Sequence, residues 1–193
     1  SVCGEEVCQR VRIHQHEASD PEKLTYMGTT SRGVKAYMNK LVAAADKVIL
    51  TGGIVYHLMA GFGGGRKAVL PGVAAMETVR KNHSLMMSPE AKLGKLHGNP
   101  VYDDQVEGVR LFAKEHKMFL FHSMLDAQKQ FLKVFAGDWY EAHLEACKFV
   151  EQVYGVPISE PADVVIASCG GYPKDINIYQ LQKTMDNAWC AVK

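Results

Sequence analysis

The sequence lacks the features that would direct it to a nucleic acid, a membrane or an oxidising compartment. Its 22 Lys and Arg residues nearly balance 21 Asp and Glu residues, giving a formal net charge of +1. No overall field therefore attracts nucleic acid or an anionic membrane surface. No apolar run approaches the roughly 18 residues that a membrane span needs. Its five cysteines are scattered and form no Cys-x-x-Cys pair, which excludes a zinc knuckle or a thioredoxin-type motif and favours free thiols. We expect a cytoplasmic protein without nucleic-acid or membrane partners.

Short β-rich runs alternate with runs of helical apolar spacing. This alternation predicts an α/β fold, a layered sheet with flanking helices. A proline-bounded stretch at 157–161 predicts that residues 1–156 are part of an N-terminal cofactor-binding domain and that 157–193 begin a second α/β domain, the chain being a piece of a longer protein. The predicted strands are 10–14, 24–27, 34–37, 47–50, 118–121 and 163–167, and the predicted helices are 39–45, 73–81, 101–116, 138–154 and one beginning near Asn177.

A glycine cluster followed by two cations is the most distinctive local feature. Gly63, Gly64 and Gly65 precede Arg66 and Lys67, shortly after a predicted strand that ends in a glycine turn, where open α/β sheets place ligand loops. The spacing matches neither a Walker loop nor a dinucleotide fingerprint. One interpretation remains, in which consecutive amides of the cluster, with Arg66 or Lys67, bind an anion such as phosphate. The alternative is a surface turn followed by two solvated cations.

Two histidines flank this cluster. His57 could exchange a proton with a substrate, although a lone histidine in such a position is more often structural. His83 follows Asn82, and its imidazole could bind a soft divalent metal. The neighbouring residues offer no further ligands at suitable spacing. If His83 binds a metal, a group other than the protein must supply most of the ligands.

A second glycine turn, Gly170-Gly171, precedes another group of polar side chains. If a helix begins near Asn177, Tyr179 and Lys183 are four residues apart and share one face, with Gln180 beside them. A phenol, an amide and an ammonium could bind a carboxylate or a hydroxyl group there. An ordinary exposed helix start is the alternative.

Together these motifs resemble the nickel-pincer lactate racemase family. The turn at 51–53, His57, the segments 60–67 and 70–72, and Asn82-His83 resemble its central motif in order and spacing. The segment 168–183 resembles its second motif, where the chain enters the C-terminal domain. The resemblance implies an isomerase that racemises or epimerises a small 2-hydroxy acid by reversible hydride transfer from C2. It also implies partnership with cofactor-synthesis enzymes.

The same resemblance assigns roles to individual residues. The family cofactor is a nickel-pincer nucleotide, whose ring carbon and two sulfur atoms hold nickel in a plane. The resemblance implies that His83 is the nickel ligand, that Lys67 can hold the cofactor through a thioamide, and that His57 exchanges the substrate proton. It places Tyr179, Gln180 and Lys183 at the substrate site.

The family's other proton-transfer histidine, in a Gly-Thr-His type segment, has no match in this chain. We therefore expect that the chain as given lacks a complete active site. The runner-up interpretation is a non-catalytic module that binds a nucleotide or sugar phosphate.

Overall fold

A computed structural model of the protein describes residues 4–126, 128, 130–173 and 175–193. The helices are α1 (Glu5–Arg10), α2 (Lys40–Ala43), α3 (Met76–Ser84), α4 (Pro100–Ala113), α5 (Glu141–Tyr154) and α6 (Ile178–Trp189). The strands are β1 (Leu24–Thr29), β2 (Lys35–Asn39), β3 (Lys47–Gly53), β4 (Tyr56–His57), β5 (Gly61–Phe62), β6 (Lys117–Leu125) and β7 (Phe131–Asp138). Among these described residues, no helix has the length and apolar character needed to cross a membrane.

The largest sheet has the strand order β3-β6-β7. Strand β3 runs parallel to β6, and the chain between them passes through α3 and α4. Strand β7 pairs antiparallel with β6. Leu50 pairs with Leu120 and both are buried, whereas Ile49 and Phe119 on the opposite face are exposed. Because β3 and β6 are parallel, their carboxyl ends meet at one edge of the sheet, and the glycine loop follows directly from it.

Helix α4 begins where the sequence supplies a cap. The Asn99 side chain accepts hydrogen bonds from the amides of Val101 and Tyr102, and Pro100 occupies the first helical position, where a missing N–H costs nothing. The helix buries Val109 and Phe112 in the main core. It thereby forms a fixed support beside the loop that follows β3.

The hairpin of β1 and β2 holds α3 in place. The Thr78 hydroxyl on α3 accepts a hydrogen bond from the Tyr37 amide (3.1 Å) and donates one to the Lys35 carbonyl (2.7 Å). Thr78 is buried, so loss of either bond would leave a desolvated polar group unsatisfied. These contacts set the position of α3 and hence of His83 near its end.

The predicted α/β fold is confirmed, with several differences among the described residues. The predicted strand at 10–14 is wrong, because its first residue ends α1 and the others have no regular structure. The predicted strand at 163–167 is also wrong, because the described residues there form no ladder and Ile166 is 96% exposed. Strands β4, β5 and β7 were not predicted. The side chains of β7 are mostly exposed, so its sequence lacks a clear alternation of buried and exposed positions.

Candidate active site

The loop after β3 folds back on itself and brings His57 beside Lys67. Strands β4 and β5 form a two-residue antiparallel ladder in which His57 pairs with Gly61. A short 3-10 turn at Gly65–Ala68 follows. As a result, His57 Nε2 and Lys67 Nζ lie 3.1 Å apart. Two residues that the sequence analysis assigned separately therefore form one pair.

The hydrogen bonds of His57 define its tautomer. The Ala60 amide donates to His57 Nδ1 at 3.3 Å, so Nδ1 carries the lone pair and the ring hydrogen is on Nε2. Burial lowers the pKa of His57 to about 3, and the positive charges of Lys67, Arg66, His83 and Lys183 act in the same direction. The imidazole is therefore neutral at physiological pH, and its Nε2–H faces the lysine amine.

Lys67 is half-buried beside this ring. Burial, followed by the charge of Arg66, lowers the pKa of Lys67 to about 8, compared with about 10.4 for an unperturbed lysine. A much larger fraction of its side chain is therefore the neutral, nucleophilic amine near neutral pH.

Arg66 points into the core, in contrast to the expectation that it faces an anion. It is 1% exposed, and its guanidinium donates to the carbonyls of Ala60 (2.8 Å) and Phe62 (3.2 Å). The same group lies 4.3 Å from the centroid of the Tyr102 ring, which is within cation–π range. Burial lowers the pKa of Arg66 to about 10. The side chain therefore holds the loop together from inside.

The glycine cluster is a tightly packed turn, and two of its amides are already bonded within the protein. The Gly63 amide donates to the Val55 carbonyl at 2.7 Å, and the Gly65 amide donates to His122 Nε2 at 2.8 Å. The expected row of three free amide donors is therefore not formed. Gly64 and Gly65 have φ values of +69° and +55°, the left-handed region that glycine adopts without strain.

Two buried histidines that the sequence motifs did not single out hold this turn. His122, within β6, accepts a hydrogen bond from the Gly65 amide, and His143, on α5, donates from Nε2 to the Gly63 carbonyl at 3.0 Å. A Cβ at position 65 would lie 2.3 Å from His143 Cδ2. The first contact follows from the register of β3 and β6, in which Gly52 pairs with His122. No sequence signal gives that register or the position of His143.

We predict that Gly65→Ala lowers the free energy of unfolding by about 2–4 kcal/mol, since overpacking adds to backbone strain. Gly33→Ala is the matched control, because Gly33 also has a positive φ (+74°) but a Cβ there would meet nothing within 4 Å. It should cost only about 1–2 kcal/mol. Urea denaturation of both variants measures the difference. Equal losses would show that contact with His143 does not require glycine at position 65.

A buried polar network anchors the end of α3. The Asn82 side chain donates to Asp104 Oδ2 (2.8 Å) and accepts from Gln105 Nε2 (3.1 Å), both on α4. Asp104 also accepts a 2.5 Å hydrogen bond from the Thr30 hydroxyl. Asn82 is thus a structural residue that fixes its neighbour His83, a role that the sequence motif did not reveal.

The ring of His83 has an unused nitrogen. Its Nε2 is buried and has no hydrogen-bond partner, and burial, followed by the charge of Lys67, lowers the pKa of His83. No group of three His, Cys, Asp or Glu side chains within the described ranges could hold a metal ion. His83 therefore fits a metal whose remaining ligands come from an organic group, because it offers one buried nitrogen donor and no protein partner competes for it.

The second motif contributes α6, which begins as predicted. The Asn177 side chain caps it by accepting the Gln180 amide at 3.0 Å. Lys183 Nζ donates to Gln180 Oε1 at 2.9 Å, and the charge of Lys183 contributes to the low pKa of His57. Gln180 and Lys183 are therefore paired, and Lys183 lies within electrostatic range of the first motif. The side chain of Tyr179 lies outside the described part of the chain.

The chain is similar to known lactate racemases. The family models for the lactate racemase N-terminal and C-terminal domains match residues 1–94 and 158–193. A lactate racemase of Thermoanaerobacterium thermosaccharolyticum is 35% identical over 192 residues, covering 98% of this chain and 44% of that protein. A lactate racemase of Lactiplantibacillus plantarum is 38% identical over 187 residues, covering 96% of this chain and 43% of that protein.

Solved structures show the same relationship. The lactate racemase apoprotein of T. thermosaccharolyticum superimposes with a TM-score of 0.92 at 34% identity, covering 98% of this chain and 45% of that one. A Thermotoga maritima protein superimposes with a TM-score of 0.66 at 22% identity, over 78% of this chain and 41% of that one, and this likeness concerns the fold alone. The chain belongs to the lactate racemase family, which confirms the resemblance found in its motifs. It spans less than half the length of these relatives.

Proposed function

We propose that the protein of which this chain is part is a racemase or epimerase of a 2-hydroxy acid such as lactate, dependent on a nickel-pincer nucleotide. One observation carries the proposal. The fold brings His57 and Lys67 into contact and places His83 within electrostatic range of both, with the Nε2 of His83 buried and unbonded. The proposal implies the cofactor-synthesis enzymes as partners. Residues 1–156 would belong to the N-terminal domain and 157–193 would begin the second domain.

In this proposal two residues hold the cofactor. His83 would bind the nickel through Nε2, and the Lys67 amine would hold the organic part. When bound, the cofactor supplies an acceptor for the hydride at C2 of the substrate, so the protein contributes orientation and proton transfer. The turn made by Gly63, Gly64 and Gly65, locked by the buried Arg66, fixes the position of Lys67. Its glycines would help to hold the cofactor mainly by allowing the tight turn that positions Lys67, and less by donating free amides to it.

The remaining residues would handle the substrate. His57 would exchange the hydroxyl proton through Nε2 in its other neutral tautomer, with the hydrogen on Nδ1, which gives up the bond from the Ala60 amide and frees the Nε2 lone pair. The Lys183 ammonium carries the charge that a carboxylate needs, and Gln180 holds that ammonium at a fixed position. Tyr179 would complete this group, as the second motif implies. Racemisation requires proton transfer on both faces of the substrate, and we propose that the second group comes from outside residues 1–193.

The experiment is an assay of the full-length protein produced together with the cofactor-synthesis enzymes. We expect interconversion of D- and L-lactate, or of the enantiomers of another 2-hydroxy acid, measured by chiral chromatography, and nickel bound to the protein. Protein produced without those enzymes is the control. Loaded protein that contains nickel but interconverts no 2-hydroxy acid would contradict the proposal. The engaged amides of Gly63 and Gly65 disfavour the alternative of a simple phosphate-binding module.

A further inference from the structure

Arg66 is a buried cation without a neutralising partner. Among the described residues no carboxylate forms a salt bridge or hydrogen bond with it. Its guanidinium contacts two carbonyls and the Tyr102 ring, and its Nη1 lies 3.4 Å from His143 Nε2. Its Nε is buried without any partner. Burying an uncompensated charge costs several kcal/mol, and neutral contacts recover only part of that. Because no anion neutralises it, the charge of Arg66 repels other cations nearby, and it lowers the pKa of the adjacent Lys67.

Among the described residues, the groups found near Lys67 are neutral or positive. Arg66 precedes it in the same turn, His57 approaches from β4, and His83 approaches from α3, while Lys183 on α6 acts on His57. No carboxylate within the described ranges stabilises an ammonium at this point. Burial disfavours the protonated lysine most, and the like charge of Arg66 acts in the same direction.

The orientation of the His57 ring adds a second constraint. Because Nδ1 accepts the Ala60 amide, the hydrogen on Nε2 points at Lys67 Nζ across 3.1 Å. A nitrogen can accept that hydrogen only through a lone pair, which the ammonium form of lysine does not have. The hydrogen-bond pattern is therefore satisfied by the neutral amine.

We infer that Arg66 and His57 favour the neutral amine of Lys67 over its ammonium, so that Lys67 can attack an activated acyl or thioacyl carbon before any metal is bound. The class of ligand rests on the proposed function. In the step, the amine nitrogen forms a bond to the carbon, the bond from that carbon to its leaving group breaks, and one amine proton leaves with the leaving group. Arg66 and His57 are positioning residues for this reaction. Lys67 alone makes the new bond.

The test measures the pH dependence of lysine acetylation in the cofactor-free, full-length protein. The probe is the N-hydroxysuccinimide ester of acetic acid, and mass spectrometry follows the chymotryptic peptides. Lys114, exposed at the end of α4, is the internal reference. We expect the labelling midpoint of Lys67 near pH 8, about two pH units below the ordinary lysine pKa. Identical profiles for the two lysines would overturn the inference.

Variants separate the two positioning residues. Arg66→Met removes the charge and keeps the length, so the midpoint of Lys67 should rise, whereas Arg66→Lys keeps the charge and should keep the low midpoint. His57→Phe removes the Nε2–H donor and should also raise the midpoint, with His57→Gln as the variant that retains an N–H donor. An unchanged midpoint in both Arg66→Met and His57→Phe would overturn the inference. If Arg66→Met does not fold, the inference is tested by the wild-type labelling profile, by Arg66→Lys, and by comparing His57→Phe with His57→Gln.

This experiment contains neither nickel nor substrate, so its outcome is separate from that of the racemase assay. An active racemase whose Lys67 labels like Lys114 would overturn this inference alone. An inactive protein whose Lys67 labels near pH 8 would overturn the proposed function alone.

Discussion

His83→Ala is expected to abolish nickel retention in the full-length, cofactor-loaded protein, to below about a tenth of the wild-type stoichiometry. Loss of a partner that merely orients a ligand typically costs 10–100-fold in metal affinity, and here the ligand itself is removed. His83 is the one residue of this chain that the proposal assigns to the metal, so no other described side chain replaces it. Elemental analysis after desalting measures the loss.

The variant should fold normally. Asn82, and not His83, makes the hydrogen bonds that anchor α3 to α4, and the Nε2 of His83 has no partner to lose. We expect the free energy of unfolding to change by no more than about 1 kcal/mol. His97→Ala is the matched control, because His97 is an exposed histidine that meets only the edge of the Tyr102 ring. Stoichiometric nickel in His83→Ala would show that His83 is not a nickel ligand.

His57→Ala should leave nickel in place and reduce the rate of interconversion by about 10²- to 10⁴-fold, the usual contribution of a positioned acid or base. The two readings, nickel content and kcat in both directions, must be taken on the same preparation. Since His57 contacts Lys67, cofactor occupancy should be measured by intact mass. Normal occupancy with a rate within about tenfold of wild type would show that another group transfers the proton.

The pKa of His57 should also respond to the cofactor. Burial is the main cause of its low value, and the charge of Lys67 is the next. Conversion of Lys67 to an uncharged amide or thioamide removes that charge, so the pKa of His57 should rise toward its ordinary value of about 6.5. The ring would then become a better proton acceptor only after the cofactor is attached.

Local rules made part of this site predictable from sequence. Asn177 caps α6 and Asn39 caps α2 through side-chain contacts two or three residues away, and such contacts depend on neighbouring residues alone. The strand running into the glycine turn was likewise predictable, because β3 combines a short apolar run with an abrupt stop. Motif spacing identified His57, Lys67 and His83, and the structure brings all three together.

Contacts between distant segments were not predictable in this way. Whether Arg66 faces a ligand or the core depends on the 3-10 turn and on Tyr102, which lies on α4. The partners of Asn82 lie more than twenty residues away, and those of the glycine turn lie farther still. The wrong strand at 163–167 shows the converse, because β propensity without a neighbouring strand forms no ladder.

The imidazoles of His122 and His143 pack against the glycine turn. Both histidines lie in residues 95–157, the stretch between the segments that the two family models match. Excising the first 94 residues, or transplanting them to another scaffold, would carry away the Lys67 loop and leave behind the rings that keep its shape. Any natural variation at positions 65 and 143 should therefore be correlated, with a bulkier residue at one tolerated only alongside a smaller one at the other.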